Sequence, residues 1–335
     1  MARAIDVAFV GSGGMARRHS EALAKMRGVN IVAFCDPVEE RARALAEQYG
    51  AQVFKDPVKM MDAVEPSVVY LCLPPFAHGR PEMAAIERGI PFFIEKPITK
   101  SLAQARKIAE AVRKAKLITS VGYMNRYRKS VNRAREMLQE DPAVYIQGGW
   151  ISGTPRPRPE VPITMWWVQK KLSGGQFIEQ VTHTVDLVRY LCGEVQEVSA
   201  FSATGFNTGV PSYDIEDAMA VSLKLKSGAV ANLHACCASN ARGGITLNIF
   251  AKNCAFEFSG WNHDVKIFEV GRKKPREIAG GADIFTLENR ALIKALRTGD
   301  TSDIRSTYED AVNTLEVTVA ADRAARTGRV VRLGG

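Results

Sequence analysis

The sequence lacks any apolar run of about 20 residues, the length that a membrane-spanning helix needs. Its first residues, 1–6, contain no apolar core of a secretory signal and lead directly into a strand pattern. We therefore expect no membrane partner and a cytoplasmic location.

Motifs that hold metals or nucleic acids are missing as well. None of the six cysteines stands in a CxxC pair or at zinc-ligand spacing, so we expect no metal site and interpret the cysteines as reduced core residues. The formal net charge is +9, but the chain has no RNP motif, zinc finger or basic tail. We expect no nucleic-acid partner and interpret the charge as attraction for an anionic dinucleotide.

The first third of the chain contains a regular alternation of strand-like and helical segments. This alternation predicts an α/β domain with a doubly wound parallel sheet. After residue 122, strand-like runs follow one another closely from 195 to 269, which predicts a second α/β domain with a mainly antiparallel sheet. Helices near 284–298 and 306–326 close the chain. The length suits about two domains, 1–122 and 123–335.

The first strand runs into a glycine-rich turn, Gly11-Ser12-Gly13-Gly14-Met15-Ala16, and then a predicted helix over 14–27. This G-x-G-x-x-A form, between a strand and a helix, is typical of a dinucleotide site. Gly11 permits the tight turn, Gly13 lets the backbone approach the pyrophosphate, and Ala16 keeps helix and strand close. Gly14 and Met15 complete the expected cofactor contact. The alternative is an ordinary glycine turn.

Asp36 ends the second predicted strand. A carboxylate there accepts hydrogen bonds from the adenine ribose and repels a 2′-phosphate, so we expect NAD rather than NADP. A helix N-cap before Pro37 is an alternative role, compatible with the first. Pro74 and His78 follow the fourth strand, in a loop expected under the nicotinamide half of the cofactor. The alternative for His78 is to cap the next helix or lie at its surface.

Glu95-Lys96-Pro97 directly follow the apolar run 91–94. Ligands of open α/β sheets bind at the carboxyl ends of the strands, so we expect Glu95 and Lys96 near the dinucleotide. Together with the glycine turn, this tripeptide indicates an oxidoreductase.

A second polar group lies in a predicted helix over 173–192. In such a helix Glu179 and His183 are i,i+4 neighbours, and Asp186 is i,i+3 from His183. A histidine flanked by carboxylates is the arrangement expected of a general base, although a structural histidine is the alternative. The lysine at the end of a nucleotide-binding sheet favours the catalytic interpretation.

These motifs together resemble one family over nearly the whole chain: the glucose–fructose oxidoreductase, inositol 2-dehydrogenase and rhizopine-catabolism family (Gfo/Idh/MocA). The resemblance implies a Rossmann domain and a C-terminal α/β domain with an open, largely antiparallel sheet. It also implies oxidation or reduction of a hydroxyl of a sugar, inositol or related ring with NAD or NADP. Homodimers or homotetramers built through the sheet face are usual in this family.

The resemblance also implies roles for single residues. Lys96 matches the lysine that contacts the reacting oxygen, Pro97 matches a proline usually found in cis, and His183 matches the catalytic histidine. Glu179 departs from the pattern, because it stands where the family usually has Asp. We expect His183 to take the hydroxyl proton, Lys96 to stabilise the alkoxide, and Glu179 to orient His183 or grip a neighbouring hydroxyl.

Two further segments bear on the substrate. The segment 122–126 resembles the family's entry into the second domain, which implies that Asn125 or Arg126 lines the active site. In a predicted loop over 150–168, aromatic faces could stack on sugar rings and arginines could pair with a carboxylate, so we expect a carbohydrate or sugar-acid substrate. The expected contacts there are Trp150, Arg156, Trp166 and Trp167. Alternatively, Trp166 and Trp167 pack the domain or dimer interface, and the arginines, Arg156 and Arg158, are plain surface.

Two other functions stay open. Some relatives use tightly held NAD to cleave glycosides with no net redox change. A non-catalytic NAD-binding sensor is the third interpretation, although binding alone needs neither Lys96 nor His183.

Overall fold

The computed structural model describes residues 4–281 and 283–334. Two compact units are present among them. One consists of residues 4–124 and 283–312, and the other of residues 125–281 and 313–334. In the described residues no helix is long and apolar enough to cross a membrane.

The first unit is a six-stranded parallel sheet with the order β3-β2-β1-β4-β5-β6. Its strands are β1 Ile5–Val10, β2 Val29–Cys35, β3 Gln52–Phe54, β4 Val68–Leu71, β5 Phe92–Ile94 and β6 Thr119–Val121. The central strands are buried on both faces, as expected of a parallel sheet covered by helices. The predicted doubly wound parallel sheet is therefore confirmed.

Helices of the first unit connect these strands. They are α1 Gly14–Leu23, α2 Glu39–Ala46, α3 Pro57–Val64, α4 Arg80–Glu87 and α5 Leu102–Ala115. A later helix, α11 Ile284–Thr298, also belongs to this unit and contributes Leu292 and Ile293 to its core.

The second unit is built on a nine-stranded sheet with the order β14-β13-β12-β11-β7-β10-β9-β8-β15. All neighbouring strands are antiparallel except β7 and β10, which run parallel. The predicted mainly antiparallel sheet is therefore confirmed. The strands are β7 Ala143–Ile151, β8 Val195–Ala203, β9 Ala218–Leu225, β10 Val230–Cys236, β11 Gly244–Ala251, β12 Cys254–Ser259, β13 Asp264–Glu269, β14 Arg276–Ile278 and β15 Val331–Arg332.

One face of this sheet packs on the helices of the same unit. Alternate residues of β9, including Val221 and Leu223, are buried there together with Val185 and Val188 of the helix that follows Val181. The helices are α6 Lys129–Glu140, α7 Pro162–Trp167, α8 Lys170–Ser173, α9 Gln176–Glu179, α10 Thr182–Cys192 and α12 Tyr308–Thr327. The boundary between the units falls inside α12.

The prediction of one continuous helix over 173–192 is wrong, because the chain forms α8, α9 and α10 there. Gly174 and Gly175 have φ angles of 82° and 97°, which no helix accommodates. A Cβ on Gly175 would lie 2.6 Å from a carboxylate oxygen of Glu216, so a side chain at this turn would displace the end of that glutamate. Glu179 ends α9 and His183 lies in α10, and a turn at Gln180 and Val181 separates the two helices.

The expectation of a loop over 150–168 is also only partly right. Trp150 lies in β7, and Pro162–Trp167 form α7, which begins with proline at its first position. The irregular part is confined to the stretch between Ile151 and α7.

Candidate active site

Gly11 lies where β1 turns into α1, and only glycine fits there. Its φ of 87° lies in the left-handed region, and a Cβ would be 2.2 Å from the carbonyl oxygen of Cys72. Its N–H donates to the carbonyl of Cys35 at 2.8 Å. The turn is therefore held between the ends of β2 and β4.

Gly13 and Gly14 are exposed, and a Cβ on either would meet no atom within 4 Å. Helix α1 begins there without a capping side chain and without an acid in its first turn, whereas α3 is capped by Asp56. The buried Oγ of Ser12 has no hydrogen-bond partner among the described residues. An accessible helix N-terminus with unused donors fits the pyrophosphate of a dinucleotide.

Asp36 is buried beside this turn. One carboxylate oxygen accepts from the N–H of Ser12 and the other from the N–H of Val38, each at 2.9 Å. Helix α2 begins at Glu39, so Asp36 forms a turn before the helix rather than its N-cap. The contact with Ser12 fixes the carboxylate next to the glycine turn, and its bond to the ribose stays a prediction.

Met15 is half-buried, and Ala16 is fully buried in the core of the first unit, against which α1 packs. Pro74 is half-buried in the loop after β4. His78, at the end of this loop, is buried rather than at a helix surface. Its Nδ1 lies 2.5 Å from Oε1 of Glu82, which is fully buried in α4.

Glu82 is a residue that the sequence analysis missed, although its i,i+4 spacing from His78 was a visible signal. It also accepts from the N–H of Gly79, and so ties the loop after β4 to the start of α4. The contact between Nδ1 of His78 and the carboxylate of Glu82 fixes the position of His78 at the end of the loop.

Glu95 and Lys96 follow β5 at the carboxyl edge of the sheet. Lys96 is half-buried, and the peptide bond between Lys96 and Pro97 is cis. The Glu95 carboxylate is buried, with Oε1 located 3.0 Å from Nε2 of His19 in α1. The expected contact of Glu95 with the cofactor stays a prediction, and its observed partner is a helix side chain.

In the second unit Glu179 ends α9, and His183 lies in the first turn of α10; each is about 6% exposed. Asp186, expected to flank His183, forms a bidentate ion pair with Arg126, with N···O distances of 2.6 and 2.9 Å. Thr314 also donates to Asp186. The negative charge of Asp186 is therefore balanced by a buried arginine.

Asn125 is also buried, and its Oδ1 accepts from Nε of Arg128 at 2.7 Å. Arg128 is fully buried and donates further to the carbonyls of Trp261 and Gly281. Burial lowers the pKa of Arg128 to about 10. This arginine was missed by the sequence analysis, since a buried cation has no local sequence signal.

The aromatic residues of 150–168 have different surroundings. Trp150 meets Trp261 edge to face, with ring centroids 6.2 Å apart. Trp167 is buried in a small cluster with Val168, Ile215 and Cys237, against which Trp166 packs. Trp167 therefore packs inside the second unit.

Arg156 and Arg158 are exposed. The segment that carries them is anchored near its start, where the N–H of Thr154 donates to Asn240 at 3.0 Å. Ser152 is also within 3.4 Å of Nε2 of Gln176, in the same short helix as Glu179.

All six cysteines are free thiols, and the pKa of several is raised by burial, to about 12 for Cys35. Within 4–281 and 283–334, no group of three or more His, Cys, Asp and Glu side chains could hold a metal ion.

A six-stranded parallel sheet with a dinucleotide turn, followed by a largely antiparallel second unit, is typical of nicotinamide-dependent oxidoreductases. Family models identify the particular family. Residues 5–123 match the model described as oxidoreductase family, NAD-binding Rossmann fold, and residues 148–257 match the GFO/IDH/MocA C-terminal domain. The chain belongs to the Gfo/Idh/MocA oxidoreductase family, which confirms the resemblance, and its NAD-binding Rossmann fold confirms the expected cofactor.

The sequence of the chain is similar to those of several named dehydrogenases. The chain is 28% identical to D-glucoside 3-dehydrogenase of Escherichia coli (strain K12) over 73% of its length and 74% of that protein. It is 25% identical to scyllo-inositol 2-dehydrogenase (NAD(+)) of Bacillus subtilis (strain 168), over 99% and 97%. Its fold matches levoglucosan dehydrogenase in complex with NADH, with a TM-score of 0.89, 20% identity, and coverage of 99% and 100%.

Proposed function

We propose that this protein transfers a hydride between NAD and a secondary hydroxyl of a sugar, an inositol or a sugar acid. The main support is the match of both domain models of one dehydrogenase family to a chain that has Lys96 directly after β5. The similarity to a glucoside and an inositol dehydrogenase supports the substrate class.

The residues of the first unit would hold the cofactor. Gly13 and Gly14 would admit the pyrophosphate at the start of α1, and Asp36 would bind the adenine ribose. NAD, when bound, supplies the acceptor for the hydride. Because Asp36 would repel a 2′-phosphate, NADP is the less suitable cofactor.

The proposed acid–base chemistry falls to two side chains. His183 accepts the proton of the hydroxyl that is oxidised, and Lys96 donates a hydrogen bond to the same oxygen. The ammonium charge stabilises the negative charge that develops on that oxygen. Glu179 orients His183 or binds a neighbouring hydroxyl.

Single and double substitutions test these roles. We expect His183→Ala and Lys96→Ala each to lower kcat by about 10²–10⁴-fold, the usual contribution of general acid–base catalysis, while NAD still binds. If the two side chains act together, the kcat of the double variant should be only slightly lower than the kcat of the less active single variant. NADH absorbance with inositols, aldoses and uronic acids measures turnover, and calorimetry measures NAD binding.

Lys59→Ala is the matched control, because this exposed lysine lies on α3 of the same unit. It should retain normal turnover. Near-normal activity of Lys96→Ala or His183→Ala would rule out the assigned role of that residue.

Arg156 is the residue we assign to an acidic substrate. Arginine pairs bidentately with carboxylates, and a charged hydrogen bond contributes about 1.5–3 kcal/mol. We therefore expect Arg156→Gln to raise KM for a uronic acid about 10-fold or more, with little effect on KM for the neutral sugar. An equal change for both substrates would remove the sugar-acid proposal and leave the dehydrogenase proposal intact.

Redox-neutral glycoside cleavage is the second candidate, and the similarity to a glucoside dehydrogenase favours keeping it. It predicts consumption of a glycoside and release of its aglycone without net NADH. Product analysis beside the absorbance assay separates the two reactions.

A homodimer or homotetramer is proposed for the assembled enzyme. The sheet face opposite the helices carries a row of aligned side chains across five strands: Val230, Tyr145, Phe250, Ala255 and Phe268. Tyr145 and Phe250 stack with ring centroids 5.9 Å apart. Covering such an apolar row would be favourable. A cytoplasmic location stays a prediction.

A further inference from the structure

His19 and Glu95 form a buried pair that the proposed chemistry does not use. His19 lies on α1 and is fully buried, and Glu95 is 5% exposed after β5. His19 Nε2 lies 3.0 Å from Oε1 of Glu95, and His19 Nδ1 lies 2.9 Å from Oδ1 of Asn289.

The partners of His19 determine where the protons lie. Oδ1 of Asn289 can only accept hydrogen bonds, and it also accepts one from the hydroxyl of Tyr70 at 3.1 Å. With the Asn289 amide in this orientation, Nδ1 of His19 is the donor of that hydrogen bond. An ionised carboxylate likewise only accepts, so the contact between Nε2 and Glu95 requires a second proton on one of those two atoms.

The surroundings of the ring favour the second proton on histidine. The rings of Phe93, Tyr70 and Phe285 lie around the imidazole, with centroids 4.5, 5.6 and 5.6 Å away. Aromatic rings stabilise a neighbouring cation, and a hydrogen bond between two ions is stronger than one between neutral groups. An imidazolium paired with a carboxylate fits this cage.

Glu95 is also fixed on its other sides. Its N–H donates to the carbonyl of Leu71 at 3.0 Å, and a Cβ on Gly122 would lie 3.0 Å from its carboxylate. The residue that follows is Lys96. The position of Glu95 therefore determines how the end of β5 presents the lysine.

We propose that His19, held as an imidazolium, neutralises and clamps Glu95 and thereby positions Lys96. Because α1 also begins at the glycine turn, this pair links the dinucleotide helix to the strand end that carries the lysine. His19 is thus a positioning residue. The role of Lys96 rests on the proposed function, whereas the protonation of the pair does not.

Nitrogen-15 NMR of the histidine rings at pH 7.5 tests the protonation. We expect both ring nitrogens of His19 to carry protons in the unmodified protein. In Glu95→Gln we expect one of them to lose its proton, because the neutral amide can donate to Nε2. A singly protonated His19 ring in the unmodified protein would overturn the proposal. The Glu95→Gln change also assigns the His19 signal, so no folded His19 variant is required.

Kinetics test the positioning. We expect His19→Gln to lower kcat about 10- to 100-fold, as a small misplacement of a reacting group does, and to change the Kd of NAD less than about threefold. Tyr70→Phe is the control, because it removes the other bond to Asn289 and leaves Glu95 paired; its kcat should stay within about twofold. An unchanged kcat in His19→Gln would overturn the positioning role. Normal activity of Lys96→Ala would instead contradict the proposed function, and the NMR result would still decide the pair.

Discussion

Gly11 and Gly13 are two residues apart and are required for different reasons. A side chain on Gly11 would collide with the carbonyl of Cys72 and demand a left-handed backbone, whereas a side chain on Gly13 would point into open space. The first glycine therefore serves the fold of the free protein. We propose that the second serves the approach of the cofactor.

Alanine substitutions should separate these two requirements. We expect Gly11→Ala to lower the free energy of unfolding by at least about 1–3 kcal/mol, the usual cost of a strained backbone, and to weaken NAD binding. Gly13→Ala should leave the melting temperature of the free protein nearly unchanged and weaken NAD binding about 10-fold or more. Thermal denaturation without ligand and calorimetry with NAD measure the two effects. A Gly13→Ala variant with normal NAD affinity would contradict the pyrophosphate site.

At the scale of elements, the turn between α8 and α9 positions the short helix that ends in Glu179. Gly175 at this turn packs against an ion pair between Lys170 and Glu216. Lys170 also contacts Asp322 of α12 at 2.7 Å. These contacts fix the start of the short helix that ends in Glu179.

We expect Gly175→Ala to lower turnover about 10-fold or more with little change in the Kd of NAD, because the new methyl group would displace Glu216 and shift α9. Gly193→Ala is the matched control. Gly193 has a similar φ of 103°, but its Cβ would meet no atom within 4 Å. Equal losses of turnover in the two variants would attribute the effect to backbone strain alone.

The turn between β12 and β13 contains a buried histidine, His263, which makes the second unit sensitive to acid. Burial lowers the pKa of His263 to about 4, and the neighbouring Arg128 also lowers it, while Asp264 and the bond to Trp261 raise it. The unfolded chain binds this proton near pH 6.5 and the folded chain only near pH 4. Stability therefore falls as the pH drops through this window, by up to about 3 kcal/mol.

We expect His263→Asn to remove this part of the pH dependence. Asparagine tolerates the left-handed φ of 52° at this position. Urea unfolding between pH 4 and 7 can be followed by tryptophan fluorescence, because all four tryptophans lie in the second unit. If the variant loses as much stability on acidification as the unmodified protein, the pH dependence comes from other groups.

At the scale of the whole molecule, the sheet face of the second unit bears on assembly. Val230 and Phe250 belong to its apolar row and are 48% and 36% exposed in the single chain. We expect Val230→Asp combined with Phe250→Asp to lower the molecular mass measured by sedimentation, because charges would be buried in the interface. Val270→Asp is the control, since this exposed valine lies outside the row. A monomeric unmodified protein would rule out the proposed oligomer.

The sequence by itself determined the parallel sheet, the glycine turn, the cofactor class and the family. These depend on local patterns: apolar period, strand-to-helix order, and glycines where a backbone must turn or approach a ligand. The same local patterns marked Lys96 at the carboxyl end of β5. The helix prediction over 173–192 was wrong because apolar periodicity was given more weight than the glycines at 174 and 175, and because the second break, at Gln180 and Val181, contains no glycine or proline.

Only the tertiary structure decided which charges meet. His19 and Glu95 are 76 positions apart, and Arg126 and Asp186 are 60 apart. Neither separation leaves a local signal, because such contacts depend on how strands and helices are ordered in space. Buried charges require partners. The fold supplied an arginine for Asp186 and a histidine for Glu95.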